Sequence, residues 1–525
     1  MSGAGIRARS STLLLLGLVL LTAACGEDAP SRTQGGAGPV ETVVLGFQSG
    51  PDTFDPVAWR SERARRLFGE TVSLSLVRYR PDLETHEPWL AATPPEETSP
   101  GRWRWTLRAG ARFSDGRPLT AEDVVATADF VRAHAAAAPR AATALVGVSE
   151  LLALDATRFE LAFAGSRSAL LDGFGREFIV LHPDARVDEA AARIAAPGFG
   201  PYRMVERRPD EIRFERVARW WGNEEDAFRG RFGAARLAWR IVPDESAAPR
   251  LLEAGSLHFA GLSPERAAAL DDARITVAGF EARAFSYLGF NARGGVPTAN
   301  AAVRRALAGL VPRDRIAAAE TCGAVRAVRA PFGLAASRLP TTTEALAALD
   351  AHGLGDADGD GRRDFHGEPW SLRLLVPAGR IDWVDRVVIP WREALRGAGI
   401  GLTPVPLELP EMVRALRGGD FDAFLLVWRV TESRPSFRGM LHSTARGTGG
   451  NNFQDWAEID GLVETLERAE GEELAEARRR FDETILREAP VSFLFAHRAF
   501  VAWRRDLIRL ESGPFGPDLT TLAPR

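Results

Sequence analysis

The chain has 525 residues, 45 % of them hydrophobic, and a formal net charge of −4. That length buries a large core and favours two or three domains, and the charge excludes the basic excess of a nucleic-acid binder. All 66 basic residues are arginine, which we read as coding bias, not function.

From the N-terminus, Arg7 and Arg9 precede an apolar run over 13–21, then LTAAC ending at Cys25. A basic start, a short apolar core and small residues describe a secretory signal over 1–24, and the run is too short for a resident membrane helix. A cysteine after two alanines is similar to a bacterial lipobox, which implies acylation of Cys25. The alternative is a plain secreted protein. The polar, Gly- and Pro-rich stretch 25–41 reads as a tether. Removing the leader takes away two arginines and no acids, so −4 becomes −6. With Cys25 acylated, only Cys322 remains and no internal disulfide can form.

The 41–47 run predicts a first strand, and 102–108 alternates as a half-buried strand. Over 113–124 (FSDGRPLTAEDV) a Gly-containing turn leads into a helix from Ala121, with Thr120 as cap and Asp123 placed to reach back. Val124, Val125, Ala128 and Val131 share a face of that helix. The tract 135–144 reads as a helix end and loop broken at Pro139. Strands are expected at 158–164 and 211–217. Between 371 and 428 strands and helices alternate: strand 371–376, helix 390–397 with proline near its start, strand 400–407, helix 410–417, strand 421–428. That alternation predicts an α/β region with a largely parallel, doubly wound sheet, which binds ligands beyond the carboxyl ends of its strands. Trp428 stands at such an end. The span 456–488 is charged and helical, and 491–496 reads as a buried strand returning toward the first domain.

Several short blocks carry a family pattern. They are FSDGRPLTAEDV, LVRY over 76–79, WTLRAG over 105–110, GFGPY over 198–202, RWWG over 219–222, and YLGFN over 287–291 with VRRAL over 303–307 and RDR over 313–315. In this order they resemble the family-5 extracellular solute-binding proteins, the oligopeptide, dipeptide and nickel receptors of ABC importers. Ser114 replaces the family's usual His, and His258 stands where Asp is common. The resemblance covers the chain from the first mature strand almost to the C-terminus. It implies an α/β, bilobed periplasmic-binding-protein-like fold with an extra region inserted in the first lobe. Lobe I would take 42–72, 196–284 and 499–525, the insert 73–195, and lobe II 285–498. The lobes would close on a small-molecule or peptide solute without covalent chemistry, as a monomer working with ABC permease and ATPase subunits. The location would be the cell envelope: lipid-anchored on the outer face of the cytoplasmic membrane, or the periplasm.

The resemblance also places the ligand. In peptide-binding relatives a WxxDxxDP segment pairs its first Asp with the ligand's ammonium group. The match is WRVTESRP over 428–435, with Trp428 and Pro435 kept, Thr431 in place of the first Asp, and Arg434 in place of the second. A hydroxyl cannot neutralise a buried ammonium, although Glu432 is one residue away. Peptides with a free N-terminus are therefore expected to be poor ligands, and an anionic, sugar-like or amine-free solute gains weight, unless Arg429 and Arg434 simply face solvent. Asn451, Asn452 and Phe453 resemble the segment that lines the cleft in relatives.

No catalytic constellation is present: no HExxH, GxSxG or P-loop pattern occurs. No cofactor is implied. The stretch 356–364 (DADGDGRRD) matches several calcium-loop positions, but position twelve is Gly367. It reads as a tight polar turn, with calcium as the alternative. Two other functions compete with import: a signalling or scaffold lipoprotein that kept the fold, and a secreted hydrolase, for which no nucleophile–base pattern speaks.

Overall fold

The computed structural model describes residues 40–80, 85–319, 323–378, 381–430, 433–447 and 450–525. Cys25, Cys322, Thr431 and Glu432 lie outside them. One eleven-stranded sheet runs through the protein. Its order is Gly401–Leu407, Ser371–Pro377, Ala423–Arg429, Ile275–Phe290, Val491–Arg504, Phe259–Leu262, Val43–Phe47, Arg236–Ile241, Glu211–Arg216 and Tyr202–Arg207, with Val325–Ala327 also on Val491–Arg504. Pro404 and Pro406 fit the edge position of Gly401–Leu407, because proline cannot donate to a ladder.

The three strands of the 371–428 region pair parallel, as their alternation with helices predicts, while the sheet as a whole is mixed. Parallel pairing joins Ser371–Pro377 to Gly401–Leu407 and to Ala423–Arg429. It also joins Val43–Phe47 to both of its neighbours. Between these two sets lie Ile275–Phe290 and Val491–Arg504, paired antiparallel with each other. Strands from distant parts of the chain thus add an antiparallel centre beside a parallel set that is local in sequence.

Two groups of hydrophobic core flank this pair. One gathers residues between 43 and 259 with Val501, Trp503 and the 507–522 segment. The other lies between 287 and 496. The structure is the bilobed periplasmic-binding-protein fold. Ile275–Glu281 pairs with Arg498–Arg504 on the first side, and Phe285–Gly289 pairs with Val491–Ala496 on the second. The register shifts between Glu281 and Phe285, where Arg283 takes φ +49°. A non-glycine residue in that region marks local strain, and the shift falls where the chain passes from one core to the other.

The predicted 390–397 helix is longer than expected, Ile381–Gly397, and holds Pro390 inside it. Val384, Val387, Val388, Trp391 and Leu395 are all buried. One apolar stripe therefore anchors both sides of the proline and carries the helix through the lost hydrogen bond. The 456–488 span forms two helices, Asp460–Arg468 and Gly471–Glu488.

The motif residues are mostly structural staples. Asp123 is buried, and its carboxylate accepts from the Thr120 N–H at 3.0 Å, from Arg117 at 3.0 Å and from Arg186 at 2.8 Å. Arg304 donates to the carbonyls of Thr298, Ala299 and Glu488. Arg313 donates to the carbonyls of Ala308 and Phe493. Gly198 and Gly200 let two loops meet: a Cβ on them would lie 2.0 Å from Val72 O and 2.4 Å from Thr71 O.

Candidate functional site

Strand Ala423–Arg429 ends at the junction of the two lobes. Trp428 pairs with Phe285 and Arg429 with Ala284, and the Val430 N–H donates to the Arg283 carbonyl at 2.9 Å. Trp428 is half-buried and packs toward Gly439, where an added Cβ would lie 2.9 Å from the indole.

Beyond the undescribed Thr431 and Glu432, buried Ser433 is gripped from the first lobe. Its N–H and Oγ donate to Asp172 Oδ2 at 2.8 and 2.7 Å. Its carbonyl accepts from Tyr79 Oη at 2.8 Å and Arg283 Nη2 at 3.1 Å. His86 Nε2 lies 3.1 Å from the other Asp172 oxygen. Burial works against a charged Asp172, but the bond and charge of His86, the charge of Arg176 and the Ser433 N–H outweigh it, and its pKa is lowered. The lobes are thus joined here by a charge-assisted clasp.

The remaining residues expected from sequence are placed differently. Arg434 donates to the Ala469 carbonyl at 2.8 Å and to Glu470 at 3.2 Å, beside a small cavity of about 90 Å³. Asn451 is exposed. Asn452 is buried, and its Nδ2 donates to the carbonyls of Leu441, His442 and Trp456 at 2.7–3.1 Å. Phe453 is buried 5.9 Å from the Phe424 ring. Asn452 and Phe453 thus pack into their own loop and core, where the sequence expectation had them lining the cleft.

A cleft of about 700 Å³ opens at the lobe junction. Helix Glu62–Glu70, strand Val77–Arg80, the shifted segment 280–283, Arg429 and Val430, and the hairpin Ile508–Gly513 with Gly516–Pro524 all contribute to it. Arg78 holds Asp518 through two bonds of 2.7 and 2.9 Å, and Arg231 adds a third at 3.0 Å. Arg65 pairs with Glu62 at 2.7 Å and Glu70 at 2.8 Å. Burial opposes ionisation of Glu62, but Arg65 and Arg66 draw its pKa down to about 2.

Sequence reasoning missed Asp172, His86, Arg65, Arg66 and Arg283. Tyr79 sits in the LVRY block and could have been found there; the others carry no local signal. A second cavity of about 470 Å³ lies within the first lobe, lined by Leu67, Ile179, Tyr202 and Met204 among others, away from the lobe junction.

The 356–364 turn brings Asp356, Asp358 and Asp364 within 4.8 Å of one another. Asp356 accepts the N–H groups of Gly359 and Gly361, and Asp364 that of Ala357. These bonds close a polar turn, as Asx residues do.

Residues 85–449 match the model for bacterial extracellular solute-binding proteins, family 5 middle region, and the chain belongs to that family. It is 26 % identical to protein XP55 of Streptomyces lividans over 515 residues, covering 90 % of this chain and 86 % of the relative. In fold it is similar to NikA from Brucella suis in complex with Fe(III)-EDTA, with TM-score 0.74, 18 % identity, and 92 % and 100 % of the two chains covered. It is also similar to the oligopeptide-binding protein AppA from Bacillus subtilis in complex with a nonapeptide, with TM-score 0.67, 18 % identity, and 93 % and 100 % covered.

Proposed function

We propose that this chain is the capture subunit of an ABC importer: a lipoprotein anchored through Cys25 that closes its two lobes over a small polar or peptide-like solute and presents it to permease and ATPase subunits. The observation that carries the reading is the 700 Å³ cleft at the one place where two long antiparallel strands pass between separate cores. A bulged strand pair linking two cores is a natural hinge, and binding with hinge closure needs no reacting group. The relatives that bind a nonapeptide or a metal chelate share the fold, which supports capture of a solute and leaves its identity to the cleft.

Two measurements test this. Small molecules released by denaturing the purified protein should include one that rebinds the refolded or fresh protein in calorimetry. If no released molecule rebinds, the capture reading fails. Cys25→Ser should move the protein from the membrane to the soluble fraction, since acyl chains supply the attachment. Unchanged membrane attachment would contradict the anchor.

A further inference from the structure

The cleft is lined by nine arginines and five carboxylates. Glu87, Glu177 and Asp172, outside the lining, pair with Arg78, Arg80, Arg231, Arg140 and Arg176, so the positive charge left over is confined to a few arginines. Four of the five carboxylates are already engaged by arginine. Asp518 is already held by Arg78 and Arg231, and Glu62 and Glu70 share Arg65. Glu281 lies 3.5 Å from Arg326, which does not line the cleft.

The surplus is on the arginine side. The Arg66 side chain is 40 % exposed, and its nearest carboxylate oxygen, on Glu62, lies 3.9 Å away and is already bonded to Arg65 at 2.7 Å. Arg429 is exposed at the carboxyl end of its strand and makes no ion pair with any described residue. Like charges in a partly enclosed cleft repel one another, and such a cleft focuses the field on an incoming anion. Guanidinium forks match carboxylate and phosphate oxygens two at a time. An ammonium group or a metal cation would meet repulsion in the same place.

We propose that the cleft takes a small organic anion bearing two or more carboxylate or phosphate groups, bound by Arg66 of the first lobe and Arg429 of the second, so that the ligand itself bridges the lobes. This rests on the capture reading above, in which this cleft is the solute site.

The test is calorimetry on the purified full-length lipoprotein in detergent, with four probes: citrate, a sugar bisphosphate, uncharged maltotriose, and tetraalanine amide, which has a free amine and no carboxylate. Citrate or the bisphosphate should bind, and the other two should not. Arg66→Glu and Arg429→Glu, with unchanged melting temperatures, should each weaken anion binding about tenfold or more, and added salt should weaken it further. The proposal is overturned if neither anion binds at millimolar concentration, if anion binding ignores both charge reversals, or if maltotriose or tetraalanine amide binds more tightly than either anion. In that last case, compaction of the protein by the winning probe would leave the capture reading standing. Failure of every probe together with the protein's own released molecules would remove both.

Discussion

His258 is buried and bonded to the first strand. Its Nδ1 accepts from the Val44 N–H at 2.8 Å, tying the neutral ring to the first strand. Burial, with Arg504 and Arg240 nearby, lowers its pKa from 6.5 to about 4. The folded state therefore excludes a proton that the unfolded chain takes up. This stability is present above pH 6.5 and is lost as pH falls toward 4. His258→Gln keeps an acceptor for Val44 and cannot titrate. Between pH 7 and 5 the urea midpoint should fall less in the variant than in the parent; equal falls would remove His258 from the account.

The same residue scale shows what the sequence made legible. Asp123, Arg304 and Arg313 identified the family, yet each satisfies buried backbone or buried charge and none lines the cleft. A side chain that stabilises a buried carbonyl needs a fixed neighbour in the chain, so it leaves a motif. Arg429 stands out beside the ligand motif, but Arg66 meets it only across a space that folding creates, and no spacing announces that pairing. Asn452 resembled a ligand contact through a family sequence segment, but its Nδ2 bonds the carbonyls of Leu441, His442 and Trp456.

Among elements, the clasp between the helical segment Leu171–Gly175 and the loop after Trp428 joins the lobes beside the two crossing strands. Asp172→Ala would leave the Ser433 N–H and hydroxyl without their acceptor in a buried place. Losing a hydrogen bond to a charged acceptor costs about 1.5–3 kcal/mol. Hydrogen exchange at Ser433 should accelerate accordingly, while amides of Val491–Arg504 stay protected. Unchanged exchange at Ser433 would show that the clasp does not hold the lobes. Strands and helices themselves were largely readable from alternation and caps. The pairing was not: strand neighbours such as Ile275–Phe290 and Val491–Arg504 lie some two hundred residues apart, and periodicity carries no information about partners. Pro390 misled in the opposite direction: read as a helix start, it lies inside a longer helix that the buried stripe from Val384 to Leu395 holds together.

At the scale of the whole molecule, two cores are joined by one crossing strand pair with a register shift, beside a cleft lined by arginines. The family blocks made the bilobed fold legible from sequence, whereas the arginine lining of the cleft emerges only when the first helix, the first hairpin, Arg283 and the end of strand Ala423–Arg429 assemble. Small-angle scattering of the protein stripped of its solute, then resupplied with it, tests the central claim most directly. The account predicts a smaller radius of gyration on rebinding, with a saturation curve that matches calorimetry. Saturable binding with no change in the scattering curve would contradict closure of the two lobes over the cleft.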